Sequence, residues 1–107
     1  EILQEIAALQ QWAKSKQIDY YRKLIAFMYY DLDQQYNRCA ILVVEIKKML
    51  LQNKFIFSKA RMHQNYLNGA YCMIKQYQFK KAAELIKQSA AFAGSATNRL
   101  IGEIMYS

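Results

Sequence analysis

The chain has 107 residues, 54 % of them apolar, which is enough for one domain with a real core and too apolar for intrinsic disorder. It carries a net charge of +7, two cysteines, one histidine, three glycines and no proline. No apolar run approaches the roughly 20 residues of a membrane span, and no charged-then-apolar leader is present, so no membrane association and a cytoplasmic location are expected.

Residues of good helix propensity dominate, and no stretch alternates with period two between turn signals. The expected fold is all-α: stacked antiparallel helical hairpins, with a compact four- or five-helix bundle as the alternative. In chain order, a first helix is predicted over 1–14, where Ile2, Ile6, Leu9 and Trp12 form an apolar stripe. Ser15 to Ile18 is expected to break it. Asp19 then serves as N-cap of a helix over 20–33, because its carboxylate can accept free backbone N–H groups.

The next helix, 36–52, is apolar nearly all round at its centre, as a sandwiched helix would be. Asn53 is expected to end it in the left-handed conformation. Phe55-Ile56-Phe57 reads as an apolar plug, and Ser58 as the N-cap of a helix over 59–75. A further helix over 79–93 is stopped by Gly94, and another begins near residue 98. The units are thus a preceding helix (1–14), a first hairpin (19–53), a second hairpin (58–94) and the start of a further helix (97–107). An excerpt of a longer array is therefore expected, with a capping helix at each end as the alternative.

Two segments 41 residues apart resemble each other. Tyr30-Asp31-Leu32-Asp33-Gln34-Gln35-Tyr36 aligns with Tyr71-Cys72-Met73-Ile74-Lys75-Gln76-Tyr77 through Tyr30/Tyr71, Gln35/Gln76 and Tyr36/Tyr77. With the small and apolar residues Ala26, Phe27, Tyr30, Tyr36, Cys39, Val43 and Ile46, this pattern resembles the tetratricopeptide repeat. Leu67, Asn68 and Tyr71 match the first helix of a second unit. Phe79, Ala82, Ile86 and Ser89 match its second helix if the turn is two residues longer. Phe27 stands where that family has a small residue, and the family's closing proline is absent. The degenerate period also resembles repeats of bacterial peptide-sensing regulators and large LuxR-type activators.

The resemblance implies a regulatory or scaffold module that binds a protein or peptide in a groove lined by the first helix of each hairpin. The groove positions fall on Tyr21, Leu24, Met28 and Asp31 in the first unit and on Met62, Asn65, Gly69 and Cys72 in the second. Arg99 and Glu103 lie in the third start. An Asn such as Asn65 can pair donor and acceptor with an extended backbone.

Charge is uneven. From Ile46 to Ala83 there is no Asp or Glu, while Lys47, Lys48, Lys54, Lys59, Arg61, Lys75, Lys80 and Lys81 supply a net +8. Such a region attracts an acidic peptide or protein, or nucleic acid as the rival reading, with Tyr66 or Tyr77 stacking on bases. The basic set assigned to it is Lys47, Lys48, Lys54, Lys59, Arg61, Lys80 and Lys81. Self-association through exposed aromatic residues is the third expectation. His63 is read as a helix-surface residue. Neither it nor the Asp31/Asp33 pair has partners for a catalytic triad, so no enzyme activity, metal or cofactor is expected. Cys39 and Cys72 are read as buried free thiols.

Overall fold

The computed structural model describes residues 1–93 and is all-α over them. Four α-helices follow in order: α1 (Ile2–Leu32), α2 (Tyr36–Gln52), α3 (Lys59–Lys75) and α4 (Phe79–Ser89), closed by a short 3-10 turn (Ala90–Phe92). Gly94, the further helix and Arg99 lie outside the described residues. Among the described elements α1 packs on α2, α2 on α3 and α3 on α4, each pair adjacent in sequence.

The expected break at Ser15–Ile18 does not exist. Helix α1 runs unbroken for 31 residues, and Asp19 sits inside it rather than capping anything. No glycine or proline interrupts the stretch, so a polar run there is simply a solvated helical face. By contrast, α2 and α3 begin and end where the periodicity places them. Ser58 caps α3 as expected: its Oγ accepts from the Arg61 N–H at 3.1 Å.

Asn53 departs from expectation. Its backbone is extended (φ −135, ψ 100), and its Oδ1 accepts from the Phe55 N–H at 3.0 Å to start the connector. The left-handed residues are Gln34 (φ 59) and Tyr77 (φ 60). They terminate α1 and α3 with the same bonding: Gln35 N–H to Tyr30 O and Gln34 N–H to Asp31 O, then Gln78 N–H to Met73 O and Tyr77 N–H to Ile74 O. A non-glycine residue in this region carries strain. Because Tyr77 is 83 % exposed, Tyr77→Gly should raise stability by about 0.5–1 kcal/mol, read as a higher denaturation midpoint.

The two turns coincide on shifting residues 33–35 to 76–78, which is 43 positions and not 41. The second-helix match with the longer turn is therefore the structural register, and Tyr36, Cys39 and Ile46 correspond to Phe79, Ala82 and Ser89. The Tyr30/Tyr71 alignment is two residues out.

The core has two parts. Tyr20, Ile46, Leu50, Ile56 and Met62 form one cluster, with Leu24, Met49, Tyr66 and Phe92 against it. Phe27, Cys39, Val43 and Cys72 form the other, nearer the hairpin turns. Ile56 is the plug that the connector supplies, while Phe55 and Phe57 stay part-exposed.

Cys39 and Cys72 are free and buried. Burial, with the Cys39 thiol beside it, pushes the Cys72 thiol from 9.0 up to about 12. Burial also raises the Cys39 thiol. The native state holds these protons more tightly than the unfolded chain. The resulting stabilisation is whole below the unfolded value of 9.0 and is lost as pH rises towards 12. Denaturant midpoints should fall across that window, and less steeply in Cys72→Ala; equal slopes would remove the thiol from the account.

Candidate functional site

Helices α2 and α4 both pack on α3 and not on each other, so a cleft opens between them with α3 as its floor. Ala40, Val43, Val44 and Lys47 form one wall, Leu85 the other, and Asn65, Tyr66, Gly69 and Met73 the base. The cavity volume is about 180 Å³. An apolar cavity of roughly 150 Å³ holds a benzene ring, so this cleft has room for one aromatic or branched side chain.

Gly69 decides its depth. A Cβ there would lie 3.2 Å from Val43 Cγ1 and 3.3 Å from Leu85 Cδ1. The bare backbone lets both walls close onto α3.

Asn65 supplies the polar group. Its Nδ2 donates to the Val43 carbonyl at 3.0 Å, tying α3 to α2. That bond fixes the amide orientation, because the reverse would set two oxygens face to face. The Oδ1 is then buried with no partner, although Asn65 is only 4 % exposed. An orphaned buried acceptor costs about 1–3 kcal/mol. At the mouth, Lys47 Nζ lies 5.1 Å from the centre of the Tyr66 ring. Among the described residues, none that lines the cleft is acidic.

The expected groove residues divide. Tyr21, Leu24, Met28 and Asp31 do share one face of α1, away from the cleft. Met28 is exposed, and Leu24 is half-buried against the core. Tyr21 OH accepts from Arg61 Nη2 at 3.2 Å. Asp31 Oδ1 accepts from Tyr71 OH at 2.6 Å, which holds the Tyr71 phenol protonated well above its ordinary range.

Met62, Asn65, Gly69 and Cys72 are not on the equivalent face: all four are buried. A register error of two residues rotates a helix by about 200°, which turns an outer face inward. The counterparts of the α1 residues in the 43-residue register are Gln64, Leu67, Tyr71 and Ile74, none of them buried. Asn65 and Gly69 nonetheless enter the cleft, by a route the sequence reading did not contain.

His63 is not on the surface either. It is 8 % exposed, with both ring nitrogens unpartnered. It occupies the register position of Tyr20, which is also buried.

The basic residues do not form one patch. Lys54 and Lys59 stand at the α2–α3 junction, and Lys80 and Lys81 at the start of α4. The length of α3, about 25 Å, separates these two groups. Lys47 belongs to the cleft, and Lys48 is exposed elsewhere on α2. Arg61 is spent internally: its Nη1 donates to the Ile56 carbonyl at 2.8 Å, and its guanidinium lies 4.6 Å from the Tyr20 ring centre.

Among the described residues, no cluster of three or more His, Cys, Asp or Glu could hold a metal ion. No described helix is long and apolar enough to cross a membrane. Comparison with protein-family models, with curated proteins and with solved structures gives no match.

Proposed function

We propose that this chain is a protein- or peptide-binding helical module. It seats one apolar side chain of its partner in the cleft between α2 and α4. The observation that carries the reading is the apolar cleft itself, open between α2 and α4 over the bare backbone of Gly69. A peptide entering there can bury a ring or branched alkyl group over Gly69. Lys47, in a lining with no acid among its described residues, favours a carboxylate beside the anchor.

The chain-order packing of the helices supports the stacked-hairpin resemblance, and with it a segment of a larger cytoplasmic regulator or scaffold. Catalysis is not part of this reading, since no nucleophile, acid and base converge in the cleft.

The test is selection of binders from a random peptide display library on the immobilised chain, with nuclease present. The expected result is a family of sequences sharing one aromatic or branched residue next to an Asp or Glu. Sequences without an apolar anchor, or retention of nucleic acid alone in a parallel run without nuclease, would overturn the proposal.

A further inference from the structure

Helix α1 is about 46 Å long and α2 about 25 Å, and a three-residue turn joins them antiparallel. The first dozen residues of α1 therefore run past the end of α2 as an arm. On that arm Ile2, Ile6, Leu9 and Ala13 follow at steps of four, three and four. The same face continues into Tyr20 and Phe27. Downstream the face is core: Tyr20 is 5 % and Phe27 9 % exposed. Upstream it is bare, with Ile2 73 %, Ile6 47 % and Leu9 50 % exposed. Trp12 marks the root of the arm, edge-on to Phe55 at 5.6 Å.

Charge runs along the arm. Its first turns carry Glu1 and Glu5, against the one positive charge of the terminal ammonium, and its root carries Lys14 and Lys16 with Lys54 nearby. At the root Trp12, Lys16, Met49 and Asn53 line a cavity of about 180 Å³. Asn53 is 5 % exposed there, and its Nδ2 has no acceptor. An apolar face with an acidic end and a cationic root is complementary to itself when reversed.

We propose that the arm is a dimerisation element, and that two copies of this chain pair arm to arm in antiparallel register. Ile6 of each copy packs beside Leu9 of the other, and Ile2 beside Ala13. Glu1 and Glu5 of each copy reach the Lys14, Lys16 and Asn53 region of the other. A parallel pair would instead set Glu against Glu and Lys against Lys. Because α1 is already held as a helix by α2, the arm does not bear the full nucleation cost of a short isolated helix. The pair buries roughly 1,000 Å² in total, the lower bound of specific interfaces, so the dimer is reversible and concentration-dependent.

Sedimentation equilibrium of the 107-residue chain from about 5 to about 500 μM should show monomer and dimer. Leu9→Glu should leave only monomer with unchanged helical circular dichroism, because Leu9 belongs to neither of the described core clusters. Glu1→Lys with Glu5→Lys should weaken association at least about tenfold at low salt. Lys14→Glu with Lys16→Glu should do the same, and the chain carrying all four reversals should regain wild-type dimerisation. Three results would overturn the proposal: monomer at every concentration, a dimer that survives Leu9→Glu, or reversals that do not rescue. The arm lies apart from the cleft, so these outcomes are independent of the peptide-binding reading.

Discussion

Phe27→Asp abolishes the folded state. Phe27 is 9 % exposed and packs with Cys39, Val43 and Cys72 where α1, α2 and α3 converge. The Cys39 thiol donates to its carbonyl at 3.6 Å, which marks how closely α2 approaches α1 there. Removing the ring forfeits about 3–5 kcal/mol. The carboxylate must then be buried without a cation or be protonated, at a further cost of several kcal/mol. Against a total stability of about 5–15 kcal/mol for a domain of this size, the sum is decisive. Far-UV circular dichroism should show little helix at room temperature and no cooperative melt. A mutant that melts like the wild type would remove Phe27 from the core and undo the packing of the first hairpin. Phe27→Leu keeps an apolar group and should remain folded, which separates loss of volume from burial of charge.

Gly69→Leu should separate binding from folding. A Cβ at this position already meets Val43 and Leu85 at 3.2 and 3.3 Å, so a larger side chain must rise into the cleft and fill it. Overpacking costs about 1–3 kcal/mol, partly offset by about 1 kcal/mol from replacing a glycine inside a helix. The protein should therefore stay folded. Affinity for a cleft-selected peptide should fall by about 100-fold or more, measured by fluorescence anisotropy. Gly69→Ala is the matched control. Its methyl asks Val43 and Leu85 to yield a few tenths of an ångström, and the helix gains propensity, so peptide affinity should stay within a few-fold of wild type. Unchanged binding in Gly69→Leu would place the peptide somewhere other than between α2 and α4.

Propensity and periodicity were enough for the helices whose ends carry chemistry. The Ser58 cap, the apolar span 36–52 and the connector Phe55-Ile56-Phe57 together define α2 and α3. The false break in α1 came from treating the polar residues 15–17 as a linker. A helix with one solvated side tolerates such a run, and Ala13, Lys16 and Tyr20 still fall on one face across it. The repeat register failed for a different reason. In a chain rich in Tyr and Gln, three identities align two residues away from the position where the turns coincide. Only the backbone, with Gln34 and Tyr77 both left-handed, discloses the shift. That shift moved Met62, Asn65 and Cys72 from surface to core. The cleft itself was not legible, because it depends on α4 packing on α3 while leaving α2 uncovered. The signal that existed was Gly69 inside a helical pattern, where a small residue implies close approach.

The packing of each helix on its neighbour in sequence also governs how the chain reaches this state. The described helices whose backbones pack together are joined by connectors of a few residues, while α1 and α3 meet only through side chains, so little loop entropy is lost before most contacts form. Such a topology has low contact order, and helical domains of this kind fold in microseconds to milliseconds. Amide exchange should then be graded along the molecule: fastest in the arm of α1, on which no other described helix packs, and slowest in α2 and α3, which hold most of both core clusters.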